Sequence, residues 1–264
     1  MKQLILNALR ESVEAHPELI PLLTGKAAAH VKLMGLTRDE IERKLARVLT
    51  RGFRGELDKL LEYLGDPPDI NRVPPEYWQN GWRSIQADVE PILVEAYVQQ
   101  AEALMVRIGI GVDWAGVNTA AASWARLHSE TVMRELFNRT YEGVNTLVPQ
   151  YFEQHWRMSD LSAALERYYS KVRAEMIAVT ETTRALVEGE KEIIAALSRE
   201  SGADMVPIWM TANDERVCPL CGPRNEKPIT DGNYPPAHPN CRCAVGYEWP
   251  ETLNAAQAEL WRTR

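Results

Sequence analysis

Residues 217–243 decide the fold of the C-terminal part of this chain, and they read V-C-P-L-C-G-P-R-N-E-K-P-I-T-D-G-N-Y-P-P-A-H-P-N-C-R-C. All 4 cysteines of the chain lie in this stretch. Two of them form a C-x2-C knuckle, and the ending H-P-N-C-R-C adds a histidine and two more thiols. Thiolates and imidazoles are the ligands that zinc prefers, and four of them complete a tetrahedral shell. We expect four of five candidate ligands to bind the metal: Cys218, Cys221, His238, Cys241 and Cys243.

The sequence does not decide between Cys241 and Cys243. They are one residue apart, so their side chains would diverge in a regular strand, and one would bind metal while the other packs. The spacing from His238 to Cys241 repeats the x2 spacing of the first knuckle and favours Cys241. Two other readings of the cysteines stay open, disulfides and small buried apolar side chains. Disulfides are disfavoured because the start, M-K-Q-L-I-L-N-A-L-R, lacks the apolar run of a secretion signal.

The segment that carries these ligands is poor in apolar residues. After Gly202 the chain is dense in Pro, Gly, Asn and Asp, and such a segment cannot bury enough apolar surface to form its own core. A bound metal would supply the missing folding free energy. Two short strands are expected, in V-P-I-W-M-T-A (206–212) and C-R-C-A-V-G-Y-E-W (241–249), followed by a final helix opened by Pro250.

The preceding residues have the periodicity of helices. Apolar side chains recur at steps of three or four, and the longest such stripe, over residues 161–186, predicts one amphipathic helix of about seven turns. Ser159 or Asp160 would open it. Pro91 is expected to kink or interrupt an earlier helix, and Gly189 to mark a break beyond the long one. The fold class is therefore mainly α: a helical body with a small, turn-rich C-terminal α+β module stapled by zinc.

Four prolines in residues 66–75 indicate a stiff linker. The predicted organisation is an N-terminal helical segment (1–65), this linker (66–75), a helical body (76–202) and a Cys/His module with a final helix (203–264).

The charge pattern argues against a dedicated nucleic-acid binder. The net charge is −7, and residues 1–64, 65–204 and 205–264 contribute +2, −8 and −1. Tight non-specific binding of nucleic acid needs a clear basic excess, which no segment shows. No apolar run approaches the length that spans a bilayer.

Two further motifs are uninformative when taken singly. R-A-E-M-I-A-V-T-E (173–181) reads as a charged helix face on which Glu181 and Arg184 can pair. W-M-T-A-N-D-E-R-V-C (209–218) reads as a strand exit, where Thr211 and Asp214 can form a turn.

Together with the ending P-A-H-P-N-C-R-C, these motifs resemble the phage head morphogenesis family, the Mu protein F-like minor head proteins. The resemblance extends over residues 76–248, most clearly from residue 110, and departs from the family at Val179, where an arginine is common. The residues that carry it outside the ligand set are Arg173, Thr180, Glu181, Trp209, Thr211, Asp214, Pro239, Asn240 and Arg242.

The resemblance implies a structural component of the virion. It implies association with the portal, a part in head assembly and in DNA packaging or ejection, and a place in the capsid interior or portal region after assembly in the host cytoplasm. The implied partners are portal, capsid and scaffold proteins, with packaged DNA as a weak further partner. No membrane, small-molecule substrate or enzymatic activity is expected, and zinc would be structural.

The alternatives are an HNH-like zinc-containing nuclease and a DNA-binding module of the virion. A deaminase would need a glutamate two residues after its histidine ligand, whereas Pro239 and Asn240 follow His238. An HNH nuclease needs a histidine base beside the metal ligands, and the module has a single histidine. The remaining histidines, His16, His30, His128 and His155, all fall in segments predicted to be helical.

Overall fold

The computed structural model describes residues 37–108, 114–202, 204–211 and 217–263. The predictions for residues 1–36 and for Asp214 lie outside these residues. The described chain is mainly helical, with one two-stranded antiparallel sheet near the C-terminus, which confirms the predicted fold class. No described helix combines the length and the apolar character needed to cross a bilayer.

The described helices are α1 (Arg38–Leu64), α2 (Pro75–Asn80), α3 (Trp82–Ile108), α4 (Trp114–Glu153), α5 (Met158–Tyr169), α6 (Lys171–Ser201) and α7 (Ala255–Arg262). The strands are β1 (Val206–Met210) and β2 (Ala244–Glu248). Three short 3-10 helices cover Ile70–Arg72, Gly222–Arg224 and Pro250–Thr252.

The chain divides into two compact units. The first contains residues 38–94 and 122–178, and the second contains residues 95–121 and 179–264 as far as they are described. The proline-rich segment 66–75 lies within the first unit and includes a 3-10 helix. The division of the chain at this segment stays a prediction.

In the first unit, α1 buries one apolar face against α5. Phe53 meets Tyr169 edge to face, with ring centroids 6.3 Å apart. A Cβ at Gly52 would lie 2.7 Å from the side chain of Ile85, so glycine allows α1 and α3 to approach closely at this point. α3 continues through Pro91 without interruption, so of the two expected effects, a kink or an interruption, the interruption does not occur.

The single helix predicted over residues 161–186 is two helices, and this prediction was wrong in that respect. Ser170 between α5 and α6 is extended (φ −70, ψ 152). Its hydroxyl accepts the Arg173 N–H at 3.2 Å, as the cap of a new helix does. α5 begins at Met158, and Asp160 accepts the Arg157 N–H at 2.8 Å instead of opening the helix itself.

The second unit is built on the later part of α6. The helix runs through Gly189 without the break that the sequence suggested. A Cβ at Gly189 would lie 2.3 Å from the carbonyl oxygen of Tyr97, so the glycine serves close packing of α6 against α3.

The sheet of the second unit pairs β1 with β2, with Val206 opposite Glu248 and Met210 opposite Ala244. The other edge of β1 is also paired, because Ile229 N–H donates to Pro207 and Trp209 N–H donates to Lys227, at 2.8 and 2.9 Å. β1 therefore lies between β2 and residues 226–229.

The last helix begins later than the sequence suggested. Pro250 opens only a 3-10 turn, and α7 starts at Ala255. Asn254 and Gln257 cap it by accepting each other's backbone N–H groups, at 2.9 and 3.0 Å. The Gln257 amide also donates to the carbonyl oxygen of Glu226 at 2.8 Å, which attaches α7 to the chain beside β1.

Candidate metal centre

The first knuckle is a tight turn that presents two sulfurs. The carbonyl oxygen of Cys218 accepts the N–H groups of Cys221 and Gly222, at 3.1 and 3.0 Å. The Cys221 N–H also lies 3.4 Å from the Cys218 sulfur. A 3-10 helix follows at once, and the chain then runs antiparallel to β1. The turn and the strand pairing together fix the knuckle at one end of the sheet.

The other three candidate ligands, His238, Cys241 and Cys243, lie immediately before β2. In the turn from His238 to Cys241, the Cys241 N–H donates to the His238 carbonyl oxygen at 3.2 Å. Asn240 has a left-handed backbone (φ 63), which asparagine tolerates better than most residues. Cys243 is the last residue before β2, so the strand pairing places it beside the end of β1.

The structure brings all five predicted ligands together in two overlapping groups. Within each group the donor atoms lie within 4.8 Å of one another, and the groups are Cys218, Cys221 and His238, and Cys221, Cys241 and Cys243. Nε2 of His238 lies 3.0 Å from the Cys218 sulfur and 3.3 Å from the Cys221 sulfur. The Cys221 and Cys241 sulfurs are 3.9 Å apart. No disulfide joins these four cysteines, all of which are free thiols.

Three of the distances are close to the edges of a tetrahedral shell around a metal ion, but Cys241 is not within 4.8 Å of both Cys218 and His238, so the two groups would have to close around an ion that takes ligands from both. A zinc ion at ordinary bond lengths has S···S edges of about 3.8 Å and S···N edges of about 3.5 Å. The Cys221–Cys241 separation of 3.9 Å matches the first value. The two S···N distances of 3.0 and 3.3 Å are slightly shorter than the second, so the sulfurs would separate a little around an ion.

The histidine has the tautomer that a metal ligand requires. Nδ1 of His238 lies 2.8 Å from the carbonyl oxygen of Pro239. A carbonyl can only accept, so Nδ1 carries the proton and Nε2 presents its lone pair to the sulfurs. Pro239, identified from the sequence only as a motif residue, therefore orients His238 through its backbone.

Neighbouring groups shift the thiol pKa values in opposite directions. A hydrogen bond from the Cys243 thiol lowers the pKa of Cys241 to about 5, and the same bond raises the pKa of Cys243. Burial raises the pKa of Cys221 to about 12. Desolvation acts to raise the pKa of Cys218, but the hydrogen bond from the Cys221 N–H acts in the opposite direction. The pKa of Cys218 is therefore below its usual value. The bond to the Pro239 carbonyl raises the pKa of His238.

One motif residue of α6 contacts the turn His238–Cys241, and another forms an ion pair within the helix. Thr180 accepts the Asn240 N–H at 2.8 Å. Glu181 pairs with Arg184 at 3.5 Å, which confirms the predicted ion pair. Arg173 lies in the first unit instead, where its guanidinium stacks on Phe53 and Tyr168 and donates to the Tyr168 carbonyl oxygen.

Two motif residues at the end of β1, Trp209 and Thr211, contact the short 3-10 helix that follows the knuckle and the residue after it. Trp209 is buried, and the Arg224 guanidinium lies 4.9 Å from the centroid of its ring. Both the N–H and the hydroxyl of Thr211 reach the Asn225 side-chain oxygen at 2.9 Å. Arg242 is exposed.

Sequence reasoning missed two residues that hold the site. The Thr183 hydroxyl lies 2.7 Å from the carbonyl oxygen of Cys241. Its spacing of three residues from Thr180 was a usable signal, because residues three apart share a helix face. Asn225, which ties Thr211 to the end of the 3-10 helix, gave no such signal, since only the fold brings the two together.

Residues 143–246 match the family model described as Phage Mu protein F like protein. All three motifs lie inside the matched segment. No curated protein and no solved structure matches the chain.

Proposed function

Residues 143–246 belong to the phage Mu protein F-like family, and from this premise we propose that the chain is a minor head protein of a phage or prophage. In this proposal it is a structural component of the virion, associated with the portal and located in the capsid interior or portal region. It acts in head assembly and in DNA packaging or ejection. Its partners are portal, capsid and scaffold proteins. The family match is the observation that carries the proposal.

The metal is proposed to be zinc with a structural role. Three thiols and one imidazole are a soft donor set that suits zinc, and a shell of four protein ligands leaves no position for a reacting water. The ligands proposed are Cys218, Cys221, His238 and Cys241. When bound, the ion would cross-link the knuckle to the turn that precedes β2.

The proposal assigns the chain no catalysis. Both nitrogens of the only histidine in the cluster are engaged, Nδ1 by the Pro239 carbonyl oxygen and Nε2 near two sulfurs. A general base needs a free nitrogen within reach of a substrate proton. This arrangement supports a structural reading over an HNH-like nuclease.

The head-protein proposal is tested with purified particles. Mass spectrometry of phage or induced-prophage virions should find this chain at low copy, and co-expression with the portal protein of the same phage should yield a complex. A deletion of its gene should leave defective heads that plasmid-borne wild type restores. Absence of the chain from both virions and heads would overturn the proposal.

The nuclease alternative is tested separately. Wild type and His238→Ala are incubated with supercoiled plasmid and Mg²⁺ or Mn²⁺, and we expect no nicking by either. Nicking by wild type that His238→Ala abolishes would make the chain a nuclease. Plasmid binding that falls steeply with salt would instead favour a DNA-binding role.

A further inference from the structure

We propose that Thr180 and Thr183 of α6 are positioning residues of the metal centre. Their hydroxyls hold the turn His238–Cys241, which carries two of the proposed ligands. This inference rests on the proposed metal, because the affinity that the two threonines set is the affinity for that ion. It adds a role for the long helix to a site whose ligands all lie between residues 218 and 243.

The two threonines bind neighbouring backbone groups of the turn. Thr180 Oγ1 accepts the N–H of Asn240 at 2.8 Å. Thr183 Oγ1 lies 2.7 Å from the carbonyl oxygen of Cys241 and 2.9 Å from that of Val179 in its own helix, so its single proton is shared between the two acceptors, with the shorter distance to Cys241. Residues three apart lie on one face of a helix, so both hydroxyls reach the turn from the same side.

The turn also has restraints of its own, because Nδ1 of His238 bonds the Pro239 carbonyl oxygen and the Cys241 side chain is buried. Pro239 and Asn240 are exposed, so burial of their side chains contributes little. Asn240 holds a left-handed backbone, which costs free energy for any residue with a Cβ. One backbone hydrogen bond of 3.2 Å closes the turn. The threonine bonds therefore add support from α6 to a turn whose middle residues bury little surface.

The conformation matters because it aims two ligands. The turn carries the His238 ring at one end and the Cys241 sulfur at the other. Nε2 of His238 and the Cys241 sulfur lie 3.3 and 3.9 Å from the Cys221 sulfur. Groups that orient metal ligands in this way typically change metal affinity by about 10- to 100-fold when they are removed. Since linkage is reciprocal, metal binding should in turn stabilise this part of α6.

The test replaces single hydroxyls with methyl groups in the full chain. Thr180→Val and Thr183→Val remove the two bonds. Thr182→Val is the matched control, because the Thr182 hydroxyl is fully buried and has no hydrogen-bond partner among the residues that the structure describes. Zinc affinity is measured by competition with a chromophoric chelator. We expect about 10- to 100-fold weaker binding for the first two variants, wild-type affinity for Thr182→Val, and recovery in Thr180→Ser and Thr183→Ser.

Equal zinc affinities in Thr180→Val, Thr183→Val and Thr182→Val would overturn the inference while leaving the metal proposal intact. If Thr183→Val does not fold, Thr180→Val decides, because Thr180 is only half-buried.

A wild type that binds no zinc would overturn the metal proposal. Amide exchange in the metal-free proteins then tests the anchoring itself. Faster exchange of the Asn240 N–H in Thr180→Val than in Thr182→Val would support it, and equal exchange would overturn it.

Discussion

Cys221 belongs to both donor groups of the candidate metal centre, whereas each of the other four donors belongs to one. Its sulfur lies near His238 on one side and near Cys241 on the other. It is the donor that the two groups share, so a set of four without it would combine Cys218 and His238 with Cys241 and Cys243, which the structure places in different groups. Cys243, by contrast, belongs to one group only, in which its sulfur lies within 4.8 Å of those of Cys221 and Cys241.

Single substitutions should separate ligands from their neighbours. Purified wild type should carry about one zinc per chain, as a closed structural site does. Cys218→Ser and Cys221→Ser should lose it, as should Cys241→Ser. Cys243→Ser should keep it. Elemental analysis of protein purified reduced and without chelator checks this. Loss in Cys243→Ser with retention in Cys241→Ser would exchange the two roles.

The thiol pKa values predict proton release on metal binding. At pH 7 Cys221, with a pKa raised to about 12, is protonated, whereas Cys241, lowered to about 5, is already a thiolate. A metal binds thiolates, so Cys221 must lose its proton, and zinc affinity should rise with pH up to the pKa of that thiol. Calorimetry in buffers of different ionisation enthalpy measures the released protons. A proton count of zero at pH 7 would contradict the prediction.

At the scale of elements, two glycines within helices should respond oppositely to alanine. A Cβ at Gly189 would collide with the Tyr97 carbonyl oxygen at 2.3 Å, and backbone atoms cannot easily move aside. We expect Gly189→Ala to lower the free energy of unfolding by about 1–3 kcal/mol, the usual cost of overpacking. Urea denaturation measures it.

The matched control is Gly55→Ala in the interior of α1. A Cβ at Gly55 meets nothing within 4 Å. Alanine there should raise the free energy of unfolding by about 0.5–1 kcal/mol, because glycine loses more backbone entropy on folding. A Gly189→Ala variant that is no less stable than Gly55→Ala would contradict the close approach of α3 and α6 at Gly189.

At the scale of the whole chain, the helices and the cysteine-containing segment should respond differently to metal removal. The helices have buried apolar faces of their own, such as that of α1. Apart from the pairing of residues 226–229 with β1, the described residues 217–243 consist mostly of short turns around the cysteine cluster. Chelation should therefore speed amide exchange and proteolysis between residues 204 and 248, while far-UV circular dichroism keeps its helical signal. Loss of the helical signal on chelation would show that the metal supports the entire fold.

The sequence by itself determined those features that depend on local order along the chain. Apolar periodicity marked the helices, β-branched and aromatic residues marked both strands, and ligand spacing marked the five donors of the candidate metal centre. Each of these signals lies within a window of a few residues, where geometry follows directly from residue type.

Only the tertiary structure decided what depends on contacts between distant parts of the chain. The Thr180–Asn240 and Thr183–Cys241 bonds join residues 60 and 58 positions apart. Gly189, read from the sequence as a helix break, is a packing contact with Tyr97. Ser170 ends one helix although the apolar stripe continues across it, because its hydroxyl caps the next. The sequence shows which side chains are present, but the packing of the helices and strands decides which residues they contact.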